Sequence, residues 1–398
     1  MKVVVAIDSM KGCLGSREAS DACAWGVMEW MRDAEVVAVP VADGGEGTAA
    51  AIAFSNKEIR RRLSRVKGPD GIDVDAEWWM DEDNKKAYID MAAAAGLTLL
   101  PDEKRNPMTT TTFGVGQLIS AALDDGARQI VVGMGGSATV DGGVGACEAL
   151  GVRFINTGFF LEPEQDARIA GAYGISEPVQ NSSNTEDALE IGDIDVSGID
   201  ARLKDVEILL ACDVTAPFTG ENGAARVFGP QKGANEEEVE LLEARLDNLR
   251  MQILRKYNLD LNEIPGSGAA GGCAGGLVAL AGAMIEKGAG LVLDSIGFDE
   301  IIKGADLIIT GEGSADSQTL MGKLPFEILQ RGKKKGIPVA IVAGRISDEK
   351  ELKGAGFSKI VDINSPENME RSKTRGGNAM DKYVASERLR VAGKRIFL

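Results

Sequence analysis

Residues 306–323, DLIITGEGSADSQTLMGK, decide the fold class that the sequence predicts. Residues 307–310 form a short run of apolar and β-branched side chains, which is typical of a buried strand. The Gly311-Glu312-Gly313 sequence predicts a tight turn, because glycine permits sharp bends and a close approach of the backbone to a ligand. A helix is expected to begin at Ser317. A strand that leads through a glycine-rich loop into a helix is where open α/β sheets bind anions.

Two carboxylate side chains, Glu312 and Asp316, lie in this predicted turn. Carboxylates beside a phosphate-binding loop are typical ligands of a magnesium ion, which prefers oxygen ligands. Asp316 also precedes the expected helix directly, where an aspartate caps the first turn by accepting a backbone hydrogen bond. The sequence leaves both roles open for Asp316.

The length, net charge and cysteine content of the chain limit the kinds of protein that it can be. At 398 residues the chain is long enough for about two or three domains. Its net charge of −17 argues against nucleic acid or an anionic membrane as the main partner. Five scattered cysteines with no CxxC pair indicate reduced thiols and a cytoplasmic protein. The apolar run after Lys2 is too short for a signal peptide. The sequence does not distinguish a monomer from a homodimer.

The chain contains no histidine. This excludes Ser-His-Asp and Cys-His catalysis as well as zinc sites built on histidine. A general base must then be an Asp, Glu, Lys, Tyr or Cys side chain. The composition favours chemistry that depends on positioning and electrostatics, of which phosphoryl transfer is the leading example.

The strand–turn–helix plan recurs near the start of the chain. Residues 2–7 predict a buried strand that is followed by Asp8, Ser9 and Lys11, and residues 35–41 predict a second strand followed by Asp43-Gly44-Gly45-Glu46. Sites in parallel sheets are built at the carboxyl ends of strands, so these residues are site candidates. Lys11 could instead be a surface lysine, and residues 42–48 could be an ordinary strand-to-helix turn.

The middle of the chain has a different character. Residues 59–90 alternate between polar and apolar side chains, as exposed antiparallel strands do. Residues 156–194 lack strong periodicity and predict a surface insertion, and residues 264–285 are uncharged but too rich in Gly and Ala for a convincing membrane helix. We therefore predict an α/β protein in which a Rossmann- or flavodoxin-like parallel-sheet domain (residues 1–57 and 286–398) carries an inserted mixed α/β domain (residues 58–285). The active site is expected in the cleft between them.

The predicted inserted domain carries its own candidate residues. A predicted strand at residues 129–134 runs into GGSATVDGG (residues 135–143), a loop of small donors that suits a carboxylate or a phosphate. Close glycine packing under a helix explains this loop equally well. Another predicted strand ends at Asp213, and Arg226 and Lys232 follow as the basic groups that an anionic substrate needs.

Eight motifs, taken in order, resemble those of the bacterial type-1 glycerate kinases. They are DSMKG (8–12), VADGGEGT (41–48), RNPMTTTTFGVG (105–116), GGSATVDGG (135–143), CDVTAPFTG (212–220), GAARVFGPQKGA (223–234), PGSGAAGG (265–272) and GEGSADSQTLMGK (311–323). Their order and spacing match from residue 1 to about residue 344. The resemblance implies ATP-dependent phosphorylation of D-glycerate with Mg²⁺, commonly on the 2-hydroxyl, by a two-domain α/β protein.

The demands of phosphoryl transfer suggest roles for the candidate residues, which we state as a hypothesis. Lys11 would stabilise the phosphates of ATP, and Glu312 with Asp316 would hold Mg²⁺. Asp43 would orient the substrate hydroxyl or accept its proton, with Asp213 as the second candidate. Arg226 and Lys232 would bind the glycerate carboxylate, and the loop at residues 135–139 would bind either that carboxylate or a phosphate. The other residues assigned to substrate or phosphate binding are Asp8, Ser9, Gly44, Gly45, Glu46, Gly135, Gly136, Ser137, Thr139, Asp141, Gln231 and Lys323.

Three other functions remain open at this point. A nicotinamide-dependent hydroxy-acid reductase would need a GxGxxG motif after a strand, and the match at Gly266, Gly268 and Gly271 has no apolar strand before it. A degenerate kinase would bind a sugar acid without turnover, and a kinase of a related hydroxy acid would share the same motifs. Between the two products of a glycerate kinase, 2-phosphoglycerate is favoured over 3-phosphoglycerate.

Overall fold

The computed structural model of the protein describes residues 1–10, 12–156, 191–372 and 378–398. Lys11 and most of the predicted insertion at residues 156–194 therefore lie outside the described residues. The strands are β1 (Lys2–Ile7), β2 (Glu35–Ala38), β3 (Ile59–Lys67), β4 (Asp73–Asp81), β5 (Lys86–Asp90), β6 (Gln129–Gly133), β7 (Arg153–Asn156), β8 (Ile191–Asp195), β9 (Glu207–Ala211), β10 (Met284–Glu286), β11 (Leu307–Ala315), β12 (Val339–Ile346) and β13 (Lys359–Asp362).

The helices of the described residues are α1 (Ser16–Trp30), α2 (Thr48–Ser55), α3 (Ala92–Ala95), α4 (Phe113–Asp124), α5 (Val144–Ala149), α6 (Ala224–Phe228), α7 (Glu236–Tyr257), α8 (Cys273–Ala281), α9 (Gly288–Ser295), α10 (Phe298–Ile301), α11 (Leu324–Lys334), α12 (Glu349–Ala355), α13 (Pro366–Arg371) and α14 (Lys382–Arg395). The chain divides into two compact units. Unit 1 consists of Met1–Ile59 and Glu286–Leu398, and unit 2 of Arg60–Ile285.

Unit 1 is built on a five-stranded sheet in the order β13-β12-β11-β1-β2. Each neighbouring pair is parallel. The apolar runs in these strands are buried because helices cover both faces of such a sheet. Numbered along the chain, the strand order is 2-1-3-4-5, which is the flavodoxin-like order. The order reverses between β1 and β11, so the switch point of this sheet lies where those two strands end.

One face of this sheet packs on α1 and α14. Val5 and Ile309 from the strands, Val27 from α1 and Leu389 from α14 belong to one buried apolar cluster. Each of the four side chains is 0% exposed. This packing holds the strands in place and leaves their carboxyl ends, which carry the candidate residues, at the edge of the core.

Strand β11 is longer than predicted. The expected turn at Gly311-Glu312-Gly313 is wrong, because the strand continues to Ala315 and pairs with β12 as far as Ile346. A Cβ atom added at Gly311 would lie 2.1 Å from the carbonyl oxygen of Val342 on β12. This glycine thus permits a close approach of two strands rather than a turn. The turn itself comes later, as the short 3-10 helix Ser317–Met321.

Unit 2 contains a six-stranded sheet in the order β10-β9-β6-β5-β4-β3. β4 and β5 are antiparallel, as the sequence predicted, whereas β5, β6 and β9 run parallel. The prediction of exposed strands within residues 59–90 is wrong for β5, since most of this strand is buried and it pairs with β6. A separate antiparallel pair is formed by β7 and β8.

The uncharged segment at residues 264–285 forms turns, then α8, a helix of 9 residues, and then the first two residues of β10. Cys273, Ala274 and Leu277 of this helix are 0% exposed and belong to the main apolar cluster of unit 2. None of the helices in the part of the chain that the structure describes is both long and apolar enough to cross a membrane.

Candidate active site

In unit 1, four acidic residues follow or end strands that run in the same direction. Asp8 follows β1, Asp43 lies in the loop after β2, Glu312 belongs to β11 and Asp316 comes directly after it. Because carboxyl ends of parallel strands meet at one sheet edge, these residues converge at the switch point between β1 and β11. Open α/β sheets bind their ligands at such a switch point.

Glu312 is buried, as is Asp8, and its contacts show how the cluster is held. Its Oε1 accepts a hydrogen bond of 2.6 Å from Thr319 Oγ1, and its Oε2 lies 3.9 Å from Lys323 Nζ. Burial raises the pKa of Glu312, and the carboxylates of Asp316 and Asp43 raise it further, which outweighs the contributions of Thr319 and Lys323 that lower it. Burial is thus the main cause that disfavours the charged form of Glu312 in the folded protein.

Asp316 does cap the turn that follows it. Its Oδ1 accepts a hydrogen bond of 2.9 Å from the N–H of Gln318. A carboxylate has a second oxygen with its own acceptor sites, so this cap does not prevent Asp316 from binding a metal ion as well. Capping is thus observed, and metal binding stays a prediction.

The loop after β2 holds Asp43 in a fixed local conformation. Asp43 Oδ1 accepts a hydrogen bond of 3.0 Å from the N–H of Gly45, and Gly44 has a φ of +91°. A Cβ atom at Gly288, the first residue of α9, would lie 2.2 Å from the carbonyl oxygen of Asp43. The half-buried Asp43 is therefore held by one hydrogen bond to its side chain and by close packing of its backbone against α9. Asp8 Oδ1 accepts a hydrogen bond of 2.7 Å from Ser9 N–H.

A second set of candidate residues lies at the carboxyl edge of the unit 2 sheet. The loop at residues 134–143 follows β6, and Asp213 lies in the loop after its neighbour β9. Both loops pack against the PGSGAAGG segment, because Gly142 N–H donates to Gly271 O at 3.0 Å and Gly268 N–H to Ala216 O at 3.0 Å. Gly271 has a φ of +69°, and a Cβ atom there would lie 1.9 Å from Thr139 O.

Asp141 lies inside this arrangement with four hydrogen-bond donors. Its Oδ2 accepts from Thr112 N–H at 2.8 Å, Thr112 Oγ1 at 2.7 Å and Gly145 N–H at 3.3 Å, and its Oδ1 from Gly143 N–H at 3.0 Å. Burial nevertheless raises the pKa of this carboxyl group. The bonds fasten the loop to the start of α4 and α5. Whether Asp141 also contacts a substrate stays a prediction.

Lys232 is buried beneath the same loop, with 2% of its surface exposed. Its Nζ donates to Ser137 Oγ at 2.8 Å and to Thr139 O at 2.7 Å. Burial lowers the pKa of Lys232 to about 7, although Asp141 and Cys273 act in the opposite direction. A neutral amine has two N–H donors, and both are used here. Binding a substrate carboxylate as well would require the protonated form.

Arg226 is engaged differently. Its guanidinium forms a two-bond ion pair with Glu240 on α7, in which Nη2 lies 2.8 Å from Oε2. Glu240 raises the pKa of Arg226, and Arg226 lowers that of Glu240. Gln231 is exposed in the 3-10 turn Pro230–Lys232. Of the two predicted carboxylate-binding cations, only Lys232 contacts the loop at residues 135–139.

Two hydroxyl groups in the unit 2 motifs are buried without a hydrogen-bond partner among the described residues. They are Thr139 Oγ1 and Ser267 Oγ, and both residues are 0% exposed. Buried polar atoms are normally paired, so such atoms indicate a place for a ligand atom or a water. Thr139 was among the predicted binding residues. Ser267 was missed, although it lies in one of the eight motifs.

Comparison of the chain with known proteins identifies its family. Residues 3–386 match the glycerate kinase family model. The chain is 42% identical to glycerate 2-kinase of Escherichia coli (strain K12), with 88% of this chain and 86% of that protein covered. It is 43% identical to glycerate kinase of Bacillus cereus (strain ATCC 10987 / NRS 248), with 87% and 86% covered. The chain belongs to the glycerate kinase family.

A solved structure supports the same placement of this glycerate kinase family member. A Salmonella typhimurium LT2 protein assigned as glycerate kinase 2 superposes with a TM-score of 0.78 at 35% identity, covering 100% of this chain and 97% of that one. The predictions of the family, of the α/β fold class and of an ATP-dependent kinase are therefore confirmed.

The acidic cluster of this family member fits a magnesium ion that is bound together with ATP. Within residues 1–10, 12–156, 191–372 and 378–398, no three Cys, Asp or Glu side chains are grouped so as to hold a metal ion by themselves. Mg²⁺, however, usually takes one or two carboxylates and completes its shell with substrate phosphates and waters. Glu312 and Asp316 would supply that number of carboxylates, which are the oxygen ligands that a divalent cation such as Mg²⁺ prefers.

Replacing Lys232 by Met should change how the free energy of unfolding depends on pH. At pH 9 we expect a loss of about 1–3 kcal/mol in the free energy of unfolding, because Ser137 Oγ and Thr139 O lose their donor. The folded-state pKa of about 7 lies below the ordinary value of 10.5. Between these values the unfolded chain binds more protons, so wild-type stability rises with pH relative to the variant. The difference in the free energy of unfolding between wild type and Lys232→Met should be smallest below pH 7.

Urea unfolding of wild type and Lys232→Met at pH 6, 7, 8 and 9 measures this difference. Lys303→Met is the control, since the Lys303 side chain is exposed and pairs with Glu300 on the surface. The gap to wild type should stay constant with pH for Lys303→Met. A constant gap for Lys232→Met would show that Lys232 is not held with a lowered pKa.

Proposed function

We propose that the protein transfers the γ-phosphoryl group of ATP to the 2-hydroxyl of D-glycerate. The observation that carries this proposal is the cluster of Asp43, Glu312 and Asp316 at the switch point of the unit 1 sheet, in a chain of the glycerate kinase family. The 2-position is supported by the relative from Escherichia coli, which is named glycerate 2-kinase. The proposal leaves little covalent chemistry to the protein, because phosphoryl transfer depends chiefly on positioning and charge.

In this proposal Asp43 accepts the proton of the attacking hydroxyl while the oxygen–phosphorus bond forms and ADP leaves. Its position is supported by the Gly45 N–H bond, which occupies one carboxylate oxygen and leaves the other for the hydroxyl. Asp213, in the loop after β9 in unit 2, is the alternative for the same role. A general base of this kind typically contributes about 10²- to 10⁴-fold to the rate.

Glu312 and Asp316 are proposed to hold Mg²⁺, and Lys323 and Lys11 to contact the phosphates. Magnesium, when bound with ATP, would neutralise charge on the phosphate oxygens. Lys323 is well placed for a phosphate, since its Nζ approaches Glu312 to 3.9 Å without a short hydrogen bond to it. Asp8, Ser9, Gly44, Gly45 and Glu46 lie in the loops after β1 and β2 and are proposed to border the same ligands.

The glycerate carboxylate is proposed to bind at the unit 2 loop. Gly135, Gly136, Ser137 and Thr139 offer backbone N–H groups and hydroxyls, and Thr139 Oγ1 has no partner among the described side chains and backbone atoms. Lys232 supports the loop from below and adds a positive charge when it is protonated. Arg226 is a weaker candidate, because binding glycerate would require it to leave Glu240.

The test is an assay with the purified protein, ATP, MgCl₂ and D-glycerate. We expect glycerate-dependent release of ADP and a 2-phosphoglycerate signal in the phosphorus NMR spectrum. A 3-phosphoglycerate signal would keep the kinase and correct the position. No glycerate-dependent ADP, together with turnover of another hydroxy acid, would move the substrate to that acid. No turnover with any of them would overturn the proposed kinase activity.

A further inference from the structure

Thr319 lies between the two carboxylate residues that are proposed to hold Mg²⁺. Its Oγ1 is 2.6 Å from Glu312 Oε1 and 3.0 Å from the backbone nitrogen of Asp316. Its own N–H donates to Asp316 O at 3.1 Å. The residue is 0% exposed, so bulk water does not compete for these bonds. Thr319 was not among the residues predicted to act in the site.

The direction of both hydroxyl bonds follows from the atoms involved. An amide N–H can only donate, so Asp316 N–H donates to Thr319 Oγ1. The single hydroxyl proton of Thr319 is then available for Glu312, and an ionised carboxylate can only accept. The bond to Glu312 is charge-assisted and stronger than one between neutral groups. One oxygen of Glu312 is therefore committed, and the other, Oε2, is the one that lies toward Lys323.

We propose that Thr319 is a positioning residue for the metal site. It holds Glu312 in the rotamer that presents Oε2 to the Mg²⁺–ATP complex. The inference rests on the proposed function, because it takes Glu312 as a magnesium ligand. Groups that hydrogen-bond to a metal ligand set its orientation, and losing one typically weakens metal binding about 10- to 100-fold.

The same hydroxyl also sets the two carboxylates relative to each other. Glu312 belongs to β11, whereas Asp316 caps the turn in which Thr319 lies. The turn is fixed from outside as well, since Ser317 N–H donates to Asp348 Oδ2 at 3.1 Å. Thr319 thus links the side chain of one proposed ligand to the backbone of the other.

Three variants test this role. Thr319→Val keeps the shape and removes the hydroxyl, and Thr319→Ser restores a hydroxyl. Thr310→Val is the control, because Thr310 lies on the same strand as Glu312, is 0% exposed like Thr319, and has a hydroxyl without a hydrogen-bond partner in the described structure. The readout is the binding of Mn²⁺ in the presence of ADP, followed by the electron paramagnetic resonance signal of free Mn²⁺. Thermal unfolding of each variant reports on folding.

We expect Thr319→Val to bind Mn²⁺ about 10- to 100-fold more weakly, and Thr319→Ser and Thr310→Val to bind like wild type. In the kinase assay, the Mg²⁺ concentration for half-maximal activity should rise for Thr319→Val, while kcat at saturating Mg²⁺ should recover most of its value. A residue with a purely structural role would not produce this separation.

Unchanged Mn²⁺ binding by a folded Thr319→Val variant would overturn the proposal. If that variant does not fold, Thr319→Cys replaces it, since a thiol is a weak donor of similar size, and again weaker binding than in Thr319→Ser is expected. Failure of the proposed function is distinguishable. It would appear as a lack of glycerate-dependent ADP release by the wild type, whereas the Mn²⁺ titrations require no turnover.

Discussion

Replacing Asp43 by Asn is expected to lower kcat by about 10²- to 10⁴-fold, the range associated with loss of a general base. Asparagine has nearly the shape of aspartate and retains an oxygen that accepts the Gly45 N–H bond, which is 3.0 Å long in the structure. The loop after β2 should therefore keep its conformation. What is lost is the capacity to accept the proton of the attacking hydroxyl. The free energy of unfolding should change little.

A matched control separates the loss of the general base from any change in the local hydrogen bond between the side chain and the backbone. Asp70 makes the same local bond, since its Oδ1 accepts from Ile72 N–H two residues on at 3.1 Å. It has no role in either proposed site, and Asp70→Asn should retain wild-type turnover. Steady-state rates of ADP release by both variants, together with their urea unfolding, decide the matter. Turnover of Asp43→Asn close to wild type would remove Asp43 from the mechanism and make Asp213→Asn the next variant.

The sequence was sufficient to predict the sheet that organises this site. Buried parallel strands are recognisable as continuous apolar runs, and their carboxyl ends carry the site in any open α/β sheet. Asp8, Asp43, Glu312 and Asp316 could therefore be assigned to one edge before their contacts were known. The flavodoxin-like order adds the reason why the edge between β1 and β11 matters, because the strand order reverses there.

The predictions failed where a residue's role depends on a distant segment. Gly311 suggests a turn in isolation, yet the carbonyl oxygen of Val342 on β12 requires a glycine there. In the sequence, Lys232 and Arg226 are two equivalent cations of one motif. In the structure they differ, because Lys232 binds the loop after β6 and Arg226 pairs with Glu240 on α7. For Thr319 a local signal did exist, since it lies three residues after the capping Asp316. Its bond to Glu312 has no such signal.

Replacing Glu312 by Gln is expected to abolish most activity and to stabilise the fold. Losing a residue that only hydrogen-bonds to a metal ligand lowers metal affinity or activity by up to about 100-fold. Losing the proposed ligand itself should therefore lower kcat/KM for Mg²⁺–ATP by at least about 100-fold. Thr319 Oγ1 can still donate to the amide oxygen of Gln, so the local bond of 2.6 Å has a counterpart in the variant. Activity and stability should therefore change in opposite directions.

The expected stabilisation follows from the raised pKa of Glu312. Burial and the neighbouring carboxylates favour the protonated form in the folded state, so the folded chain binds more protons than the unfolded chain between the ordinary value of 4.5 and the raised one. The free energy of unfolding of the wild type consequently falls as pH rises through this window. Above the window, the whole destabilisation caused by the ionised Glu312 is present. Glutamine cannot ionise and avoids this destabilisation. The stability gain of Glu312→Gln should therefore be seen at pH 8 and disappear at pH 4.

Urea unfolding at pH 4 and pH 8 without Mg²⁺ and ATP measures this gain, and Glu300→Gln serves as the control because Glu300 is exposed on the surface. If Glu312→Gln were less stable than wild type at pH 8, Glu312 would be a structural residue and its buried charge would need another explanation. If it were more stable but still active, the carboxylate would not bind the metal. A gain in stability together with a loss of activity would show that the fold retains an unfavourable buried charge because the reaction needs it.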